Sequence, residues 1–214
     1  MFGWTALGDG GLLAPGDGER QDGSVGELPD QQRYLLEALE REGAGYRALL
    51  GGDAEEARTA LGAAAEAYRR SWEAAPSRAF GRLVGTLKAS ILCGRGGEAA
   101  AYVRGELGGQ GDSAASWYAL GLTALVEGDA GLATRAAAGM RGDSAAFERA
   151  ADAIAALAAG DGRAYREAVG AILADFESRG EHLTGVAISD TALVLERLAA
   201  ERGMAARIES PLLP

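Results

Sequence analysis

The sequence predicts an all-α fold, built as an array of antiparallel helical hairpins with about eight or nine helices. Apolar residues recur at helical spacing through most of the chain. No run alternates apolar and polar residues over the length of a strand, which argues against a sheet. Gly-containing turns separate the helical runs, as expected where glycine ends a helix in the left-handed conformation.

The composition favours many stacked helices over a few large ones. Hydrophobic residues make up 48% of the 214 residues, yet aromatic residues make up only 6%, and alanine dominates the apolar set. Small side chains each bury little area but let helices approach closely. We therefore expect a continuous core shared by successive hairpins.

Residues 1–29 are rich in glycine and aspartate and show no sustained period, which predicts an irregular acidic arm. Four apolar residues in this arm favour docking onto the helical body or a second copy: Phe2, Trp4, Leu12 and Leu13. The helical domain is predicted to span residues 30–214.

The first helix is predicted to begin at Pro29, because proline suits the first helical position. The second stops before Pro76, because the residue before a proline disfavours helical backbone. The later helical runs are, in order, SRAFGRLVGTLKASILC, GEAAAYVRGEL, DSAASWYALGLTALVEG, DAGLATRAAAGM, DSAAFERAADAIAALAAG, DGRAYREAVGAILADFES and ISDTALVLERLAAERG. Asp112 and Asp143 are predicted N-caps, and Gly203 a C-terminal stop.

Four turns share one frame. Each opens with a glycine, and the four lie at intervals of 42, 34 and 32 residues: Gly52, Gly94, Gly128 and Gly160. The residues that follow them are Asp53, Arg95, Asp129 and Asp161. Glycine can close one helix while aspartate caps the next, so the pair is a physical device for a hairpin turn.

The stretch WYALGLTALVEGDAGLATRA, residues 117–136, resembles one unit of the tetratricopeptide repeat. The matching residues are Trp117, Leu120 and Gly121 in the first helix, Gly128 and Asp129 in the turn, and Ala133 in the second helix. Ala137 and Met140 depart from the pattern, and no proline closes the unit. The resemblance covers about residues 30–178 and implies a right-handed α-solenoid.

The other units match less completely. Around Gly52 the turn and Ala57 match, but Arg41 and Ala44 occupy the usual tryptophan and leucine positions. The units around Gly94 and Gly160 match only at the turn. The alternative is an alanine-rich helical bundle whose turns look alike because Gly-Asp is a good turn.

The C-terminal segment departs from the repeat. An apolar stripe, Ile188, Ala192, Leu195 and Leu198, predicts a capping helix over residues 188–203. The tail ARIESPLLP is apolar, so we expect it to pack on the body or on a partner. This final helix is also loosely similar to all-helical immunity proteins of bacterial toxin systems.

Charge and cysteine content exclude several classes of function. The net charge of -10 and the absence of a basic stripe argue against nucleic acid and anionic membranes. The single cysteine, Cys93, excludes an internal disulfide and reads as a small buried residue. The sequence predicts neither a signal peptide nor a membrane span, so a cytoplasmic location is expected. The composition, with one lysine among many arginines, fits a GC-rich bacterium.

Enzymatic chemistry is not predicted, and neither is a metal or a cofactor. His182, the only histidine, reads as a solvated loop residue and makes at most a weak mixed metal site with Glu181 and Asp190. The glycine-rich stretch RGELGGQGDS lacks the lysine and spacing of a phosphate loop. The small-residue core does not suggest a cavity lined by polar groups.

The predicted function is a non-enzymatic module that binds a protein or peptide on the concave face of the array. The candidate anchors are Arg41, Tyr46, Arg82, Trp117 and Tyr118. The alternative for the aromatic members is the core, where aromatic residues at helical spacing usually lie. One alternative is an immunity-type toxin inhibitor, whose acidic surface would complement a basic partner. A second is a small-ligand-binding helical protein. A homodimer is possible because the ends of short arrays need covering.

Overall fold

The computed structural model describes residues 28–214, and this part of the chain is all-helical. It contains nine helices and no strand: α1 (Asp30–Leu50), α2 (Ala54–Glu73), α3 (Gly81–Cys93), α4 (Gly96–Leu107), α5 (Ala114–Glu127), α6 (Ala130–Gly139), α7 (Ala145–Ala159), α8 (Gly162–Glu177) and α9 (Asp190–Ala200). None of these helices combines the length and the apolar composition that crossing a bilayer requires. The predicted arm and its docking residues, Phe2, Trp4, Leu12 and Leu13, fall outside the described range.

The four turns between helices that open with glycine have the predicted mechanism. All four turn glycines adopt the left-handed conformation, with φ of 78° at Gly52, 86° at Gly94, 74° at Gly128 and 69° at Gly160. The aspartates at three of these turns cap the next helix. Asp53 accepts from the Glu56 amide at 3.0 Å and Asp129 from the Leu132 amide at 2.9 Å. Asp161 caps α8 in the same way.

Two predicted N-caps are displaced by one residue. The caps of α5 and α7 are Ser113 and Ser144, not Asp112 and Asp143. Ser113 forms a capping box with Ser116, whose hydroxyl also lies 3.2 Å from the Asp112 carboxylate. Serine and aspartate are similarly good caps, so the sequence DS left the choice open at both sites.

Each helix packs against the next in the chain, and the odd-numbered helices α3, α5 and α7 also pack on one another. Two glycines permit the closest approaches. A Cβ at Gly45 of α1 would lie 2.6 Å from Leu61 Cγ of α2, and one at Gly85 of α3 would lie 2.8 Å from the Tyr68 ring. Helix α9 contacts α3, α7 and α8.

The main core runs from α3 to α9 and consists mostly of leucine and alanine. Its largest fully buried side chains include Tyr118, Phe147 and Tyr165. The C-terminal tail folds back on the body, as predicted. Leu212 is buried, its carbonyl accepts from the Ser189 amide at 3.0 Å, and the amides of Ala206 and Arg207 donate to Glu196.

Candidate functional site

A cleft with a volume of about 330 Å³ opens where α1, α3, α5, α7 and α8 meet the segment 178–189 and the start of α9. Its size falls in the range of small-molecule sites. The lining residues are Glu42, Tyr46, Lys88, Tyr118, Ala146, Arg149, Ala150, Ile172, Asp175, Phe176, Arg179, Glu181, His182, Leu183, Thr184, Val186, Ile188, Asp190 and Thr191. The expectation that the core holds no cavity lined by polar groups is therefore wrong.

The inner end of the cleft holds a buried ion pair. We call this end the floor and define it by Glu42, Lys88, Tyr118 and Asp190. The Lys88 Nζ atom lies 2.8 Å from Asp190 Oδ2 and 3.0 Å from Thr191 Oγ1. The Lys88 side chain is only 4% exposed. Burial lowers the pKa of Lys88, but the Asp190 carboxylate outweighs burial, so its pKa ends above its usual value. Lys88 therefore remains an ammonium ion.

Glu42 is the second carboxyl of the floor, and two tyrosines hold it. The Tyr46 hydroxyl donates to Glu42 Oε1 at 2.9 Å, and the Tyr68 hydroxyl donates to Oε2 at 2.8 Å. Burial and the nearby charge of Asp190 raise the pKa of Glu42 from 4.5 to about 7 despite these bonds. Glu42 consequently changes charge near neutral pH.

Tyr118 places an unpaired hydroxyl in the floor. The residue is 1% exposed, and its hydroxyl has no partner at hydrogen-bonding geometry within residues 28–214, although Lys88 and Thr191 lie close. The Lys88 ammonium lies 5.5 Å from the centre of its ring, which also meets Phe147 edge to face. A buried hydroxyl without a partner is costly. Tyr118 is also one of the residues that line the cleft.

The outer end of the cleft is cationic. We call it the mouth and define it by Arg149, Asp175 and Arg179, whose side chains are 26–29% exposed. Arg149 Nη2 lies 2.6 Å from Asp175 Oδ1, and Arg179 Nη2 lies 2.5 Å from Asp175 Oδ2. The Arg179 guanidinium also covers the Phe176 ring at 3.6 Å. Two guanidinium ions thus share one carboxylate.

The five predicted anchors do not form one site. Tyr46 and Tyr118 both line the cleft, although both are buried. Arg82 is buried elsewhere, where Nε donates to Ser71 at 2.8 Å and Nη2 to Gln31 at 3.2 Å. Trp117 packs over Gly111 and Gly139, and Arg41 is exposed on α1 away from the cleft lining. The aromatic residues therefore serve as core and as cleft wall at once.

The structure also tests the sequence predictions for Cys93 and His182. Cys93 is a free, buried residue, as expected. The sequence predicts that His182 is a solvated loop residue, and this prediction is wrong. His182 is half-buried, lies beside the Phe176 ring and lines the cleft. No group of three or more metal-ligating side chains occurs among the residues that the structure describes.

Sequence reasoning missed most of the site, namely Glu42, Lys88, Arg149, Asp175 and Arg179, and named Asp190 only as a possible partner of His182 in a weak metal site. One signal was available. Lys88 is the only lysine of the chain and stands in the apolar run LVGTLKASIL, where a charge needs a buried partner. The other five residues are spread over 149 positions and have no common spacing.

Comparison of the chain with protein-family models, with curated proteins and with solved structures gives no match. The functional argument therefore depends on the chemistry of the cleft.

Proposed function

We propose that this chain is a non-enzymatic helical protein that binds a small polar organic molecule in the cleft between α1, α3, α5, α7, α8 and α9. The observation that carries the proposal is the floor, where Lys88 and Glu42 are almost fully buried beside the unpaired Tyr118 hydroxyl. A buried polar cluster is expensive to maintain for stability alone. Convergent polar groups in a largely apolar cleft are typical of a ligand site.

The hydrogen bonds and the charge state of Lys88 are compatible with a binding role. The raised pKa of Lys88 keeps it protonated, so it cannot act as a base toward the Thr191 hydroxyl 3.0 Å away. Both oxygens of Glu42 already accept hydrogen bonds from tyrosines. These groups are held in place by the protein, as groups that orient a ligand must be.

We also propose that the helices form a hairpin array like that of tetratricopeptide-repeat proteins. Two features support this architecture: the left-handed glycines at four turns, and the packing of α3, α5 and α7 on one another. In such an array the first helices line one face, which is the usual binding face. Helix α9 contacts α3 and α7 of this set, and its first two residues, Asp190 and Thr191, line the cleft.

Binding of a protein or peptide, which the sequence favoured, stays a prediction. A peptide that enters the cleft would meet Tyr46 and Tyr118, but Arg41, Arg82 and Trp117 lie elsewhere. The toxin-inhibitor alternative depends on the net charge of -10 and on the loose similarity of the final helix to immunity proteins, and neither involves the cleft. The cleft therefore favours the small ligand over both.

A fragment library screened by ligand-observed NMR tests the proposed function. Ala146 is half-buried and lines the cleft at the start of α7, so Ala146→Trp places an indole in the ligand space. Ala145 is exposed beside it, and Ala145→Trp is the matched control. We expect fragments that bind the wild type and Ala145→Trp but not Ala146→Trp. Fragments that bind all three proteins equally, or none at all, would refute the proposal.

A further inference from the structure

The two ends of the cleft carry opposite excess charge, and this identifies a ligand class if the proposed function holds. At the mouth, Arg149 and Arg179 both pair with Asp175, so two guanidinium ions meet one carboxylate, and the charge of Arg179 also helps to lower the pKa of Asp190. Each arginine contacts Asp175 through one terminal nitrogen. Their remaining N–H donors have no protein acceptor within the described part of the chain and are free to bind an anion.

The floor has the reverse balance. Asp190 and Glu42 stand against the single ammonium of Lys88, so two carboxyl groups share one cation. Glu42 accepts one bond at each oxygen and retains a lone pair on each. Tyr118 lines the same cleft, and its hydroxyl has no hydrogen-bond partner within residues 28–214. A second ammonium ion at the floor would pair with the Glu42 carboxylate and donate a hydrogen bond to the Tyr118 oxygen.

Apolar surface joins the two ends. The walls between mouth and floor include Tyr46, Ala150, Ile172, Val186 and Ile188, which are all buried. Glu181 and His182 also border the cleft on the segment that joins α8 to α9. Glu181 is exposed to solvent, so its charge is screened and changes the balance at the mouth only weakly. A methylene chain or a ring would fill the middle.

We propose that the ligand is a small zwitterion with an apolar body, whose carboxylate binds Arg149 and Arg179 and whose ammonium group binds Glu42 and Tyr118. A guanidinium fork matches a carboxylate in shape and charge, and two forks converge at the mouth. An ammonium group supplies three donors, enough for the Glu42 carboxylate and the Tyr118 oxygen together. An anion alone would leave the floor unmatched, and a cation alone would leave the mouth unmatched.

This assignment predicts a linked proton. Glu42 carries its proton for part of the time near neutral pH in the free protein. An ammonium group beside it favours the ionised carboxylate, so ligand binding near pH 7 releases a proton. Tyr46, Tyr68, Lys88 and Asp190 also face Glu42, but their charge states do not change near this pH. A neutral ligand or a simple anion would not displace the proton from Glu42.

The test is isothermal titration calorimetry with a series of ω-amino acids: glycine, β-alanine, γ-aminobutyrate, δ-aminovalerate and ε-aminocaproate. Hexanoate and hexylamine are the matched probes that lack one charge. We expect one member of the series to bind about tenfold or more tightly than either matched probe, since a charge-assisted hydrogen bond contributes about 1.5–3 kcal/mol. Titration in two buffers of different ionisation enthalpy should show proton release.

Variants assign each end of the ligand. Arg149→Gln should weaken the zwitterion about tenfold and leave hexylamine unchanged. Glu42→Gln should weaken the zwitterion, abolish proton release and leave hexanoate unchanged. Arg163→Gln is the control, because that side chain is 89% exposed on α8 and outside the cleft. If Glu42→Gln does not fold, two measurements still test the proposal. They are proton release on ligand binding by the wild type and the affinity of Arg149→Gln for the zwitterion and for hexylamine.

Hexanoate or hexylamine binding as tightly as ε-aminocaproate would overturn the zwitterion and leave the small-ligand function intact. The same conclusion would follow if no ω-amino acid bound but the wild type still bound fragments that Ala146→Trp does not bind. Failure of both the series and the fragment screen would overturn the proposed function itself.

Discussion

The Lys88 ammonium lies 2.8 Å from the Asp190 carboxylate and joins the middle of α3 to the first turn of α9 across 102 positions of the sequence. Asp190 also stands at the N-terminal end of α9, where a negative charge favours the helix dipole. The pair therefore fixes the start of α9 over the cleft. Removal of either partner should affect the fold and the cleft together.

Replacement of Lys88 by methionine should destabilise the protein by about 3 kcal/mol. The apolar side chain fits the buried stem, but Asp190 and Glu42 then lack their shared cation. Urea unfolding followed by circular dichroism measures the change. The exposed control Arg163→Gln should change the free energy of unfolding by less than about 0.5 kcal/mol. Equal stabilities for Lys88→Met and the wild type would show that the buried ion pair does not hold α9.

The stability of the protein should depend on Glu42 in a defined pH window. Its pKa is raised to about 7 in the folded protein from an ordinary 4.5, so the folded state favours the protonated form. The stabilisation is complete below about pH 4.5 and is lost as the pH rises through 7. The difference between the two pKa values corresponds to about 3 kcal/mol, as an upper limit.

Glu42→Gln isolates this effect, because glutamine cannot ionise. We expect the variant to gain stability relative to the wild type between pH 5 and pH 8, by about 2 kcal/mol. Unfolding curves of both proteins across this range give the difference directly. Parallel pH profiles would mean that Glu42 does not titrate in the folded protein near neutral pH.

The two tyrosines of the cleft should respond differently to loss of their hydroxyl groups. Tyr118→Phe removes an unpaired group and should leave stability unchanged or increase it by up to about 1 kcal/mol. Tyr46→Phe removes the bond to Glu42 Oε1 and should cost about 1–2 kcal/mol. Thermal and urea unfolding of both variants measure the contrast. A larger loss of stability for Tyr118→Phe than for Tyr46→Phe would show that the Tyr118 hydroxyl has a structural partner.

The contact of α1 with α2 depends on Gly45. Its Cβ would lie 2.6 Å from Leu61 Cγ, so Gly45→Ala should cost about 2 kcal/mol through overpacking. Gly105 lies inside α4 with no atom near its Cβ position, and Gly105→Ala should stabilise by about 0.5–1 kcal/mol. A stabilising Gly45→Ala, measured in the same urea experiment, would mean that the two helices do not approach this closely.

The turns could be predicted from the sequence because their signals are local. Gly128 and Asp129 are adjacent, and the conformation of each follows from its own chemistry. The helical spacing of apolar residues and the apolar composition of the C-terminal tail are local signals too, and from them the helices and the burial of the tail could be predicted. The displaced N-caps at Ser113 and Ser144 show the limit of this reasoning, since two neighbouring residues were nearly equal in capping strength.

The cleft could not be predicted in the same way because its residues meet only in the folded chain. Lys88 signalled that a buried partner must exist, but nothing in the sequence pointed to Asp190 as that partner. Tyr46 and Tyr118 were selected for their positions in first helices, and the fold brings both to the cleft. The contacts of α9 with α3 and α7 help to decide which residues of the first helices remain accessible in the cleft.

The most direct test of the central claim is the retention of small molecules from a cell extract. Purified wild-type protein, Ala145→Trp and Ala146→Trp are incubated with the same small-molecule extract, washed, denatured and analysed by mass spectrometry. We predict that the wild type and Ala145→Trp retain a common small molecule that Ala146→Trp does not retain. Identical retention by all three proteins, or no retention by any, would contradict the assignment of the cleft as a ligand site.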